Sequence, residues 1–475
     1  MKKDNFPIGL TYDDVLLVPQ YSDIASRRFI NLKTQFSKSI FLNIPIVSAN
    51  MDTVTESQMA IAMALSGGIG VIHRFLSIEN QVREVKKVKR VENIVIEDPV
   101  TILKQATLGK ALSVMKDNGI NGLVVCDKNK KIEGILTSRD VRFKTDFKLK
   151  VEDLMTPRQK LVVAPKGISS EEALKLLDKH KIEKLPLVDA KGRLVGLITA
   201  TDFMKIREHG MAAKDKEGRL MTAAAVGVKD GVERAGALVE VGCDALVIDI
   251  AHGHHERSLE LVKLLKKKFV NIDIIAGNVA TVEGAQDLIK AGADAVKIGI
   301  GPGAACSTRI VAGAGVPQFS AVRSIAPLAR KFKVPIIADG GIKNSGDVAK
   351  AIAAGANSAM IGNLFSGSLE SPGEYYVEDG SAFKIFRGMA SRDASSDRLS
   401  QETSTDRGDR APEGVSFRVT YKGEVAKILK VLSDGLQSGM SYTGAKNIEE
   451  FWKKAKFIRM TEAGFKESMP RNYQQ

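Results

Sequence analysis

The chain has 475 residues, of which 44% are hydrophobic and only 5% aromatic, and its formal net charge at pH 7 is +14. This length predicts two or three domains with a large buried core, and the aliphatic composition favours an α/β protein over a β-sandwich. The positive charge lies in lysine-rich stretches such as 86–90 and 264–268 without zinc-finger spacing or interleaved aromatic residues, so we expect a solvated basic surface and no specific nucleic-acid partner.

The chain contains three cysteines, Cys126, Cys243 and Cys306, without a CxxC spacing. An odd number argues against a disulfide framework and indicates a reducing compartment. We expect Cys126 and Cys243 to be buried packing residues. Residues 1–10 contain no signal-peptide pattern, and no apolar run has the length of a transmembrane helix. These features predict a cytoplasmic protein with no membrane partner.

Residues 1–91 and 207–475 contain short apolar runs that end in small or polar residues. Such runs are typical of buried parallel strands, and helical patterns such as 281–291 lie between them. Repeated βα units of this kind close most naturally into a (β/α)8 TIM barrel, whose chemistry lies on the loops after the strands. The expected fold class is therefore α/β. In chain order, the runs are 45–48, 70–73, 245–249, 273–277, 295–299, 335–339 and 358–362.

Region 92–206 interrupts the repeated βα pattern and contains an internal repeat of its own. Gly-Ile-Leu-Thr-Ser-Arg-Asp at 134–140 recurs as Gly-Leu-Ile-Thr-Ala-Thr-Asp at 196–202. Each half resembles a cystathionine-β-synthase (CBS) module, and the resemblance implies a tandem CBS (Bateman) domain that binds an adenine or guanine nucleotide. The residues that match the nucleotide-binding T-x-x-D pattern of CBS modules are Thr137, Asp140, Thr199 and Asp202. Thr followed three residues later by Asp is also a helix-capping pattern, so both interpretations remain open.

The most informative segment is 299–309, which follows a predicted strand and reads Gly-Ile-Gly-Pro-Gly-Ala-Ala-Cys-Ser-Thr-Arg. Glycines let a backbone approach a ligand closely, and TIM barrels keep catalytic residues on loops in this position. A cysteine in such a loop can be activated as a thiolate by Arg309 or by a helix N-terminus. The pattern therefore predicts that Cys306 is a catalytic nucleophile.

Several segments, including the cysteine loop, together resemble the inosine-5'-monophosphate (IMP) dehydrogenase and GMP reductase family. The others are Leu-Thr-Tyr-Asp-Asp-Val-Leu-Leu-Val-Pro at 10–19, Asn-Met-Asp-Thr-Val-Thr-Glu at 50–56, Ala-Asp-Gly-Gly at 338–341 and Arg-Gly-Met-Ala-Ser at 387–391. The resemblance extends over nearly the whole chain. It implies that Cys306 forms a thioimidate at C2 of IMP or GMP, and that a nicotinamide cofactor exchanges a hydride at the same carbon.

The resemblance also implies where the nucleotide and the cofactor bind. Asp339 would hold the ribose hydroxyls of the substrate, and backbone amides would hold its phosphate. The residues expected at the substrate are Met51, Asn278, Asp339, Gly341, Gly362, Asn363, Gly388 and Met389. Those expected at the cofactor, NAD, are Asp249, Gly299 and Gly301. Asp249 ends a predicted strand, where an aspartate can instead cap the next helix.

A potassium ion and an oligomer are further implications of the resemblance. The carbonyls expected to bind potassium belong to Gly301, Gly303 and Cys306, and Glu467 and Ser468 would complete the site from a neighbouring subunit. The implied assembly is a homotetramer, with an octamer as the alternative. By contrast, the histidines of loop 252–255 lack a second kind of ligand, and no metal site is expected there.

The chain departs from the family pattern at several positions. Ala304 and Asn363 stand where serines are usual, so phosphate binding must depend on backbone amides or on Asn363. Dehydrogenases activate the hydrolytic water with an Arg-Tyr pair on a flap, expected here at about 392–415. The matching segment, Ser-Ser-Asp-Arg-Leu at 395–399, retains Arg398 and has Leu399 in place of the tyrosine.

Two reactions of the family fit these residues. In a dehydrogenase, IMP loses hydride to NAD and water activated by Arg398 releases XMP. In a reductase, Thr308 and Glu413 help ammonia leave GMP, and NADPH returns a hydride. The CBS insertion and the Ser-Ser-Asp-Arg segment favour the dehydrogenase, which would act in guanine nucleotide biosynthesis. An inactive nucleotide-sensing scaffold is a third hypothesis, disfavoured because Cys306, Thr308, Asp339 and Glu413 are all present.

Overall fold

The computed structural model describes residues 6–91, 95–96, 99–118, 120–200, 210–394 and 411–469. The chain divides into two compact units, one of residues 1–91 with 211–475 and one of residues 92–210. Each unit has its own hydrophobic cores. The sequence-based limit at residue 206 lies outside the described residues.

The first unit contains a closed barrel of parallel strands, as the repeated apolar runs predict. Its strands are Ile46–Ser48 (β1), Ile69–Ile72 (β2), Ala223–Val226 (β3), Ala245–Asp249 (β4), Asp273–Val279 (β5), Ala295–Ile298 (β6), Ile336–Asp339 (β7) and Ser358–Ile361 (β8). Each strand pairs with the next along the chain, and β8 pairs with β1. The strands β2 and β3 pair directly, with Ala223 beside Val71, although the second unit separates them in the sequence.

The strand β3 is the one that the sequence pattern missed. Its residues are Ala-Ala-Ala-Val, and alanine favours helices while lacking the branched side chain typical of strands. All four residues are fully buried and pair with β4, and Ala223 and Ala224 also pair with β2. The neighbouring strands therefore select the extended conformation at this position.

A helix follows every barrel strand and packs outside it. These helices are Ser57–Leu65 (α1), Ile78–Arg90 (α2), Gly231–Glu240 (α3), Glu256–Lys268 (α4), Val282–Ala291 (α5), Gln318–Phe332 (α6), Ser345–Ala353 (α7) and Val425–Tyr442 (α8). Basic residues occupy the last turns of α2 and α4, where they complement the partial negative charge of a helix C-terminus. In the part of the chain that the structure describes, no helix is both long and apolar enough to span a bilayer.

Shorter elements complete the first unit. Near the termini, Val15–Leu17 pairs antiparallel with Phe457–Arg459, and Thr34–Gln35 pairs with Phe41–Leu42. A three-stranded sheet follows β8 and consists of Tyr376–Glu378, Ser381–Arg387 and Ser416–Thr420. Short helices that lie wholly within the described residues include Tyr12–Asp14, Arg27–Phe29, Thr308–Val311, Asn363–Ser366, Ile448–Lys454 and Glu462–Glu467.

The second unit contains two four-stranded sheets of matching design. One consists of Thr156–Pro157, Ile132–Thr137, Gly122–Cys126 and Thr101–Ile102, and the other of Ala164–Pro165, Lys184–Val188, Leu194–Thr199 and Val95–Ile96. Within the described residues of this unit, the helices are Leu108–Asp117, Ser138–Val141, Val151–Leu154, Arg158–Lys160 and Ser170–His180. In the two matching hairpin turns, Asp127 and Asp189 each accept two backbone N–H groups through Oδ1. The repeat seen in the sequence is thus also a repeat of structure.

Candidate active site

A cavity of about 1480 Å³ lies at the carboxyl ends of the barrel strands, where TIM-barrel enzymes keep their chemistry. Nearly every residue that the sequence predicted for substrate, cofactor and catalysis lines it. These residues are Met51, Asp249, Asn278, Gly299, Gly301, Cys306, Thr308, Asp339, Gly341, Gly362, Asn363, Gly388, Met389 and Glu413. Residues 395–410, which include Arg398 and Leu399, lie outside the described residues.

Cys306 lies on the loop after β6, with an exposed side chain. The loop is held in place by backbone hydrogen bonds from Cys306 N to Gly303 O (3.0 Å) and from Val415 N to Ala305 O (3.0 Å). Cys306 Sγ donates to Thr308 Oγ1 at 3.2 Å, and Thr308 Oγ1 donates to Glu413 Oε2 at 2.7 Å. The predicted nucleophile is therefore connected to a carboxylate through one hydroxyl group.

The other two cysteines are buried, as the sequence indicates. Burial raises the pKa of the Cys126 thiol to about 11 and that of the Cys243 thiol to about 12. Since a thiolate is the reactive form, neither cysteine is suited to act as a nucleophile near neutral pH.

Asp339, at the end of β7, accepts hydrogen bonds at one oxygen from two different strands. Its Oδ2 lies 2.7 Å from Lys297 Nζ and 2.9 Å from Asn278 Nδ2. Lys297, which no sequence motif singled out, is buried and lines the cavity. The available signal was a single charged residue inside the apolar run of β6, because such a residue is seldom buried without a partner.

Asp249, at the end of β4, lies close to two cations. Its Oδ2 is 3.5 Å from Arg74 Nε, and its Oδ1 is 3.7 Å from Lys297 Nζ. Burial raises the pKa of the Asp249 carboxyl, but the charges of Lys297 and Arg74 outweigh burial and hold the pKa below its usual value. Asp249 does not cap α4, because the residue at that N-cap is His255, whose Nδ1 accepts from Arg257 N at 3.2 Å.

Three amide oxygens of cavity-lining residues have no hydrogen-bond partner among the described residues, although all three are buried. They are Asn278 Oδ1, Gln318 Oε1 and Asn363 Oδ1. Asn363 begins the short helix after β8. Buried polar atoms without partners are rare in folded proteins, so these oxygens fit a site that is completed by a polar ligand such as a nucleotide.

The segment that carries Gly388 and Met389 is fixed to the rest of the site at both ends. Asp52 Oδ2 accepts from Arg387 Nε at 3.0 Å and from Arg387 Nη2 at 2.7 Å, and Gly388 N donates to Val415 O at 3.0 Å. Asp52 N also lies 3.4 Å from Met389 Sδ. These contacts hold this segment beside the loop after β1, which carries Met51.

One chain brings together only some of the residues expected to bind potassium. Gly301, Gly303 and Cys306 lie together on the cysteine loop, and carbonyl oxygens are suitable ligands for a hard cation. Gly303 O already accepts one hydrogen bond from Cys306 N, and it retains a second lone pair. Glu467 and Ser468 are exposed at the end of helix Glu462–Glu467, away from the cavity of their own chain. Within the described residues, no three His, Cys, Asp or Glu side chains cluster as metal ligands.

In the second unit, Thr137 and Asp140 form a helix cap. Asp140 Oδ2 accepts from Thr137 N at 2.8 Å and from Thr137 Oγ1 at 2.7 Å. The same two residues line a cavity of about 160 Å³, which also has basic side chains on its wall, those of Arg139, Lys160, Lys181 and Lys184. Thr199 ends the matching strand of the second half, and Asp202 lies outside the described residues. Capping and nucleotide binding are therefore compatible roles for the first copy.

The fold and the site together define a TIM-barrel enzyme with an exposed cysteine on the loop after β6. The chain belongs to the IMP dehydrogenase / GMP reductase family, whose domain model matches residues 9–471. The fold class predicted from the sequence, a TIM barrel with an inserted tandem CBS domain, is confirmed.

Individual relatives are similar over nearly the whole chain. The inosine-5'-monophosphate dehydrogenase of Aquifex aeolicus is 50% identical and aligns with 97% of this chain and 94% of its own length. That of Nitrosopumilus maritimus is also 50% identical, over 98% of both chains. Among solved structures, a GMP reductase from Trypanosoma brucei in complex with guanosine 5'-monophosphate is 46% identical, has a TM-score of 0.89 and covers 98% of both chains.

Proposed function

We propose that this chain catalyses the NAD-dependent oxidation of IMP to XMP, a step of guanine nucleotide biosynthesis. The observation that carries the proposal is the 50% identity to inosine-5'-monophosphate dehydrogenases over 97% or more of the chain. The exposed Cys306 in a large cavity supports it.

Cys306 has the central role in this reaction. Its thiolate forms a C–S bond to C2 of IMP, and C2 then loses its hydrogen with the bonding electron pair. NAD, when bound near Asp249, Gly299 and Gly301, supplies the acceptor for this hydride. Water then attacks C2 of the thioimidate, the C–S bond breaks, and the electrons return to sulfur as XMP leaves. The role of water-activating base falls to Arg398, with Leu399 beside it in place of the usual tyrosine.

The remaining substrate contacts follow from the placement of the cavity residues. Asp339 would accept hydrogen bonds from the ribose hydroxyls. Asn278 and Lys297 both donate to its Oδ2, so its second oxygen, Oδ1, is available to a ligand. The amides near Gly341, Gly362 and Asn363 would bind the phosphate, and Asn278, Met51, Gly388 and Met389 would contact the nucleotide base.

We also propose a potassium ion at Gly301, Gly303 and Cys306, completed by Glu467 and Ser468 of a neighbouring subunit in a homotetramer. Replacing potassium by lithium should lower the rate.

An adenine or guanine nucleotide would bind the second unit near Thr137, Asp140, Thr199 and Asp202, where the basic wall of the small cavity suits phosphate groups. Nucleotide titration of the whole protein should alter activity or assembly.

GMP reduction is the second candidate function. It is favoured by the hydrogen bonds that connect Cys306, Thr308 and Glu413, because a hydroxyl and a carboxylate beside the reacting carbon can protonate a leaving ammonia. The similarity to the Trypanosoma brucei GMP reductase supports it as well.

A pair of assays decides between the two functions. The protein is incubated with IMP and NAD in one assay and with GMP and NADPH in the other, and NADH or NADPH absorbance is followed. NADH formation with IMP is expected. NADPH consumption with GMP and no NADH from IMP would establish the reductase, whereas no turnover in either assay would support the nucleotide-sensing scaffold.

A further inference from the structure

Lys297 is a buried lysine between two carboxylates that belong to different halves of the cavity. Its side chain, in the middle of β6, is 2% exposed. Its ammonium lies 2.7 Å from Asp339 Oδ2, at the end of β7, and 3.7 Å from Asp249 Oδ1, at the end of β4. Burial by itself lowers the pKa of Lys297, but the charges of Asp339 and Asp249 outweigh burial and raise it, so the residue is a cation at neutral pH.

The polar groups around Lys297 form one continuous row. Arg74 Nε approaches Asp249 Oδ2 at 3.5 Å, and Asn278 Nδ2 donates to Asp339 Oδ2 at 2.9 Å. The four ionised groups of this row, Arg74, Asp249, Lys297 and Asp339, have no net charge together. Lys297 is the member that contacts both carboxylates.

We propose that Lys297 is a positioning residue that couples the nucleotide half of the site, at Asp339, to the cofactor half, at Asp249. The inference rests on the proposed function for the roles of these two aspartates. The shared ammonium lies 2.7 Å from Asp339 Oδ2 but 3.7 Å from Asp249 Oδ1, so the two carboxylates are unequal partners. A ligand that engages Asp249 reduces the attraction of Asp249 for Lys297 and strengthens the contact between Lys297 and Asp339. By linkage, a ligand at Asp339 has the reciprocal effect on Asp249.

Removal of the ammonium should have a recognisable electrostatic result. In Lys297→Met, two partly buried carboxylates lose their common counter-ion, and partial burial without a counter-ion favours their protonation. Nucleotide binding by Lys297→Met should then depend on pH differently from binding by the parent protein. Lys297→Arg keeps the charge and should restore most of the affinity and the pH profile of the parent.

The chain offers a matched control in Lys89. This lysine is 5% exposed, and its ammonium also bridges two carboxylates, Asp215 at 3.1 Å and Asp244 at 2.6 Å. None of the three residues lines the large cavity. Lys89→Met therefore reproduces the loss of a buried ammonium without touching the proposed site.

The experiment is calorimetric titration with IMP, without cofactor, over a range of pH. The proteins are the full-length parent, Lys297→Met, Lys297→Arg, Lys89→Met, Asp249→Asn and the double variant Lys297→Met/Asp249→Asn. Lys297→Met should bind IMP at least about tenfold more weakly, while Lys89→Met keeps the parent's affinity and pH profile. Asp249→Asn should change IMP affinity several-fold in the parent and leave it unchanged in the Lys297→Met background.

Equal effects of Asp249→Asn in both backgrounds would overturn the coupling, as would equal IMP affinities of Lys297→Met and Lys89→Met. If Lys297→Met does not fold, Asp249→Asn alone decides, since an unchanged IMP affinity in that variant contradicts the proposal. Failure of the proposed function looks different, because then the parent protein itself forms no NADH from IMP and NAD.

Discussion

Thr308 donates a 2.7 Å hydrogen bond to the carboxylate of Glu413, 105 residues further along the chain. The sulfur of Cys306 lies 3.2 Å from the same threonine oxygen. Because Thr308→Val breaks this connection, we expect kcat to fall by roughly tenfold to a hundredfold while the KM for the nucleotide changes little. Steady-state kinetics with IMP and NAD measures both constants.

Thr308→Ser is the control for this prediction, because it keeps the hydroxyl group and should retain most of the activity. Glu378→Gln, which alters an exposed carboxylate paired with Arg418, should be neutral. A valine variant as active as the serine variant would show that the hydroxyl has no catalytic part.

Cys306 should be the one cysteine that reacts readily with iodoacetamide near pH 7. It is exposed, whereas burial raises the pKa of Cys126 to about 11 and that of Cys243 to about 12. Mass spectrometry of the labelled protein should find modification at Cys306, and IMP should slow this modification.

Cys306→Ala should abolish turnover and still bind IMP, while Cys126→Ala and Cys243→Ala stay within a few-fold of the parent rate. Substantial turnover by Cys306→Ala would exclude the covalent mechanism.

The replacement of the flap tyrosine by Leu399 should make hydrolysis slower than hydride transfer. Rapid mixing with IMP and NAD should then give a burst of NADH and a slower steady state. Arg398→Ala should depress the steady state and spare the burst, since the two steps use different groups, and Leu399→Tyr should speed the steady state. A steady state unaffected by Arg398→Ala would assign water activation to another residue.

Residues 92–210 should be dispensable for basal catalysis. We expect a variant in which a Gly-Ser linker joins Val91 to Met211 to fold and to oxidise IMP at close to the parent rate, because the first unit has its own core. Its response to adenine and guanine nucleotides should be lost. Circular dichroism and the IMP assay measure the two outcomes, and an unfolded product would place part of the barrel's stability in the second unit.

Gly299 should be the least replaceable glycine of the cysteine loop. Its φ is +150°, and a Cβ there would clash with the carbonyl oxygen of Asp339. Gly373 is the matched control, with a φ of +87° and open space around its would-be Cβ. We expect Gly373→Ala to cost about 1–2 kcal/mol of unfolding free energy and Gly299→Ala clearly more. Urea unfolding monitors both, and equal losses would mean that backbone strain alone matters at Gly299.

The sequence by itself determined the features that depend on neighbouring residues along the chain. The apolar runs predicted the barrel strands other than β3, because each run carries its own pattern of buried side chains. The glycine-rich surroundings of Cys306 distinguished it from Cys126 and Cys243 for the same local reason. Family motifs then located Asp339 and Glu413, which line the cavity together with Cys306.

Only the tertiary structure decided which side chains meet across the barrel. A lysine inside an apolar run indicates a buried partner but not which residue supplies it, so the position of Lys297 between Asp249 and Asp339 depended on the parallel pairing of distant strands. The alanine-rich β3 likewise became a strand because β2 and β4 supply its hydrogen bonds. Both features arise from contacts between residues far apart in sequence, which a local pattern does not contain.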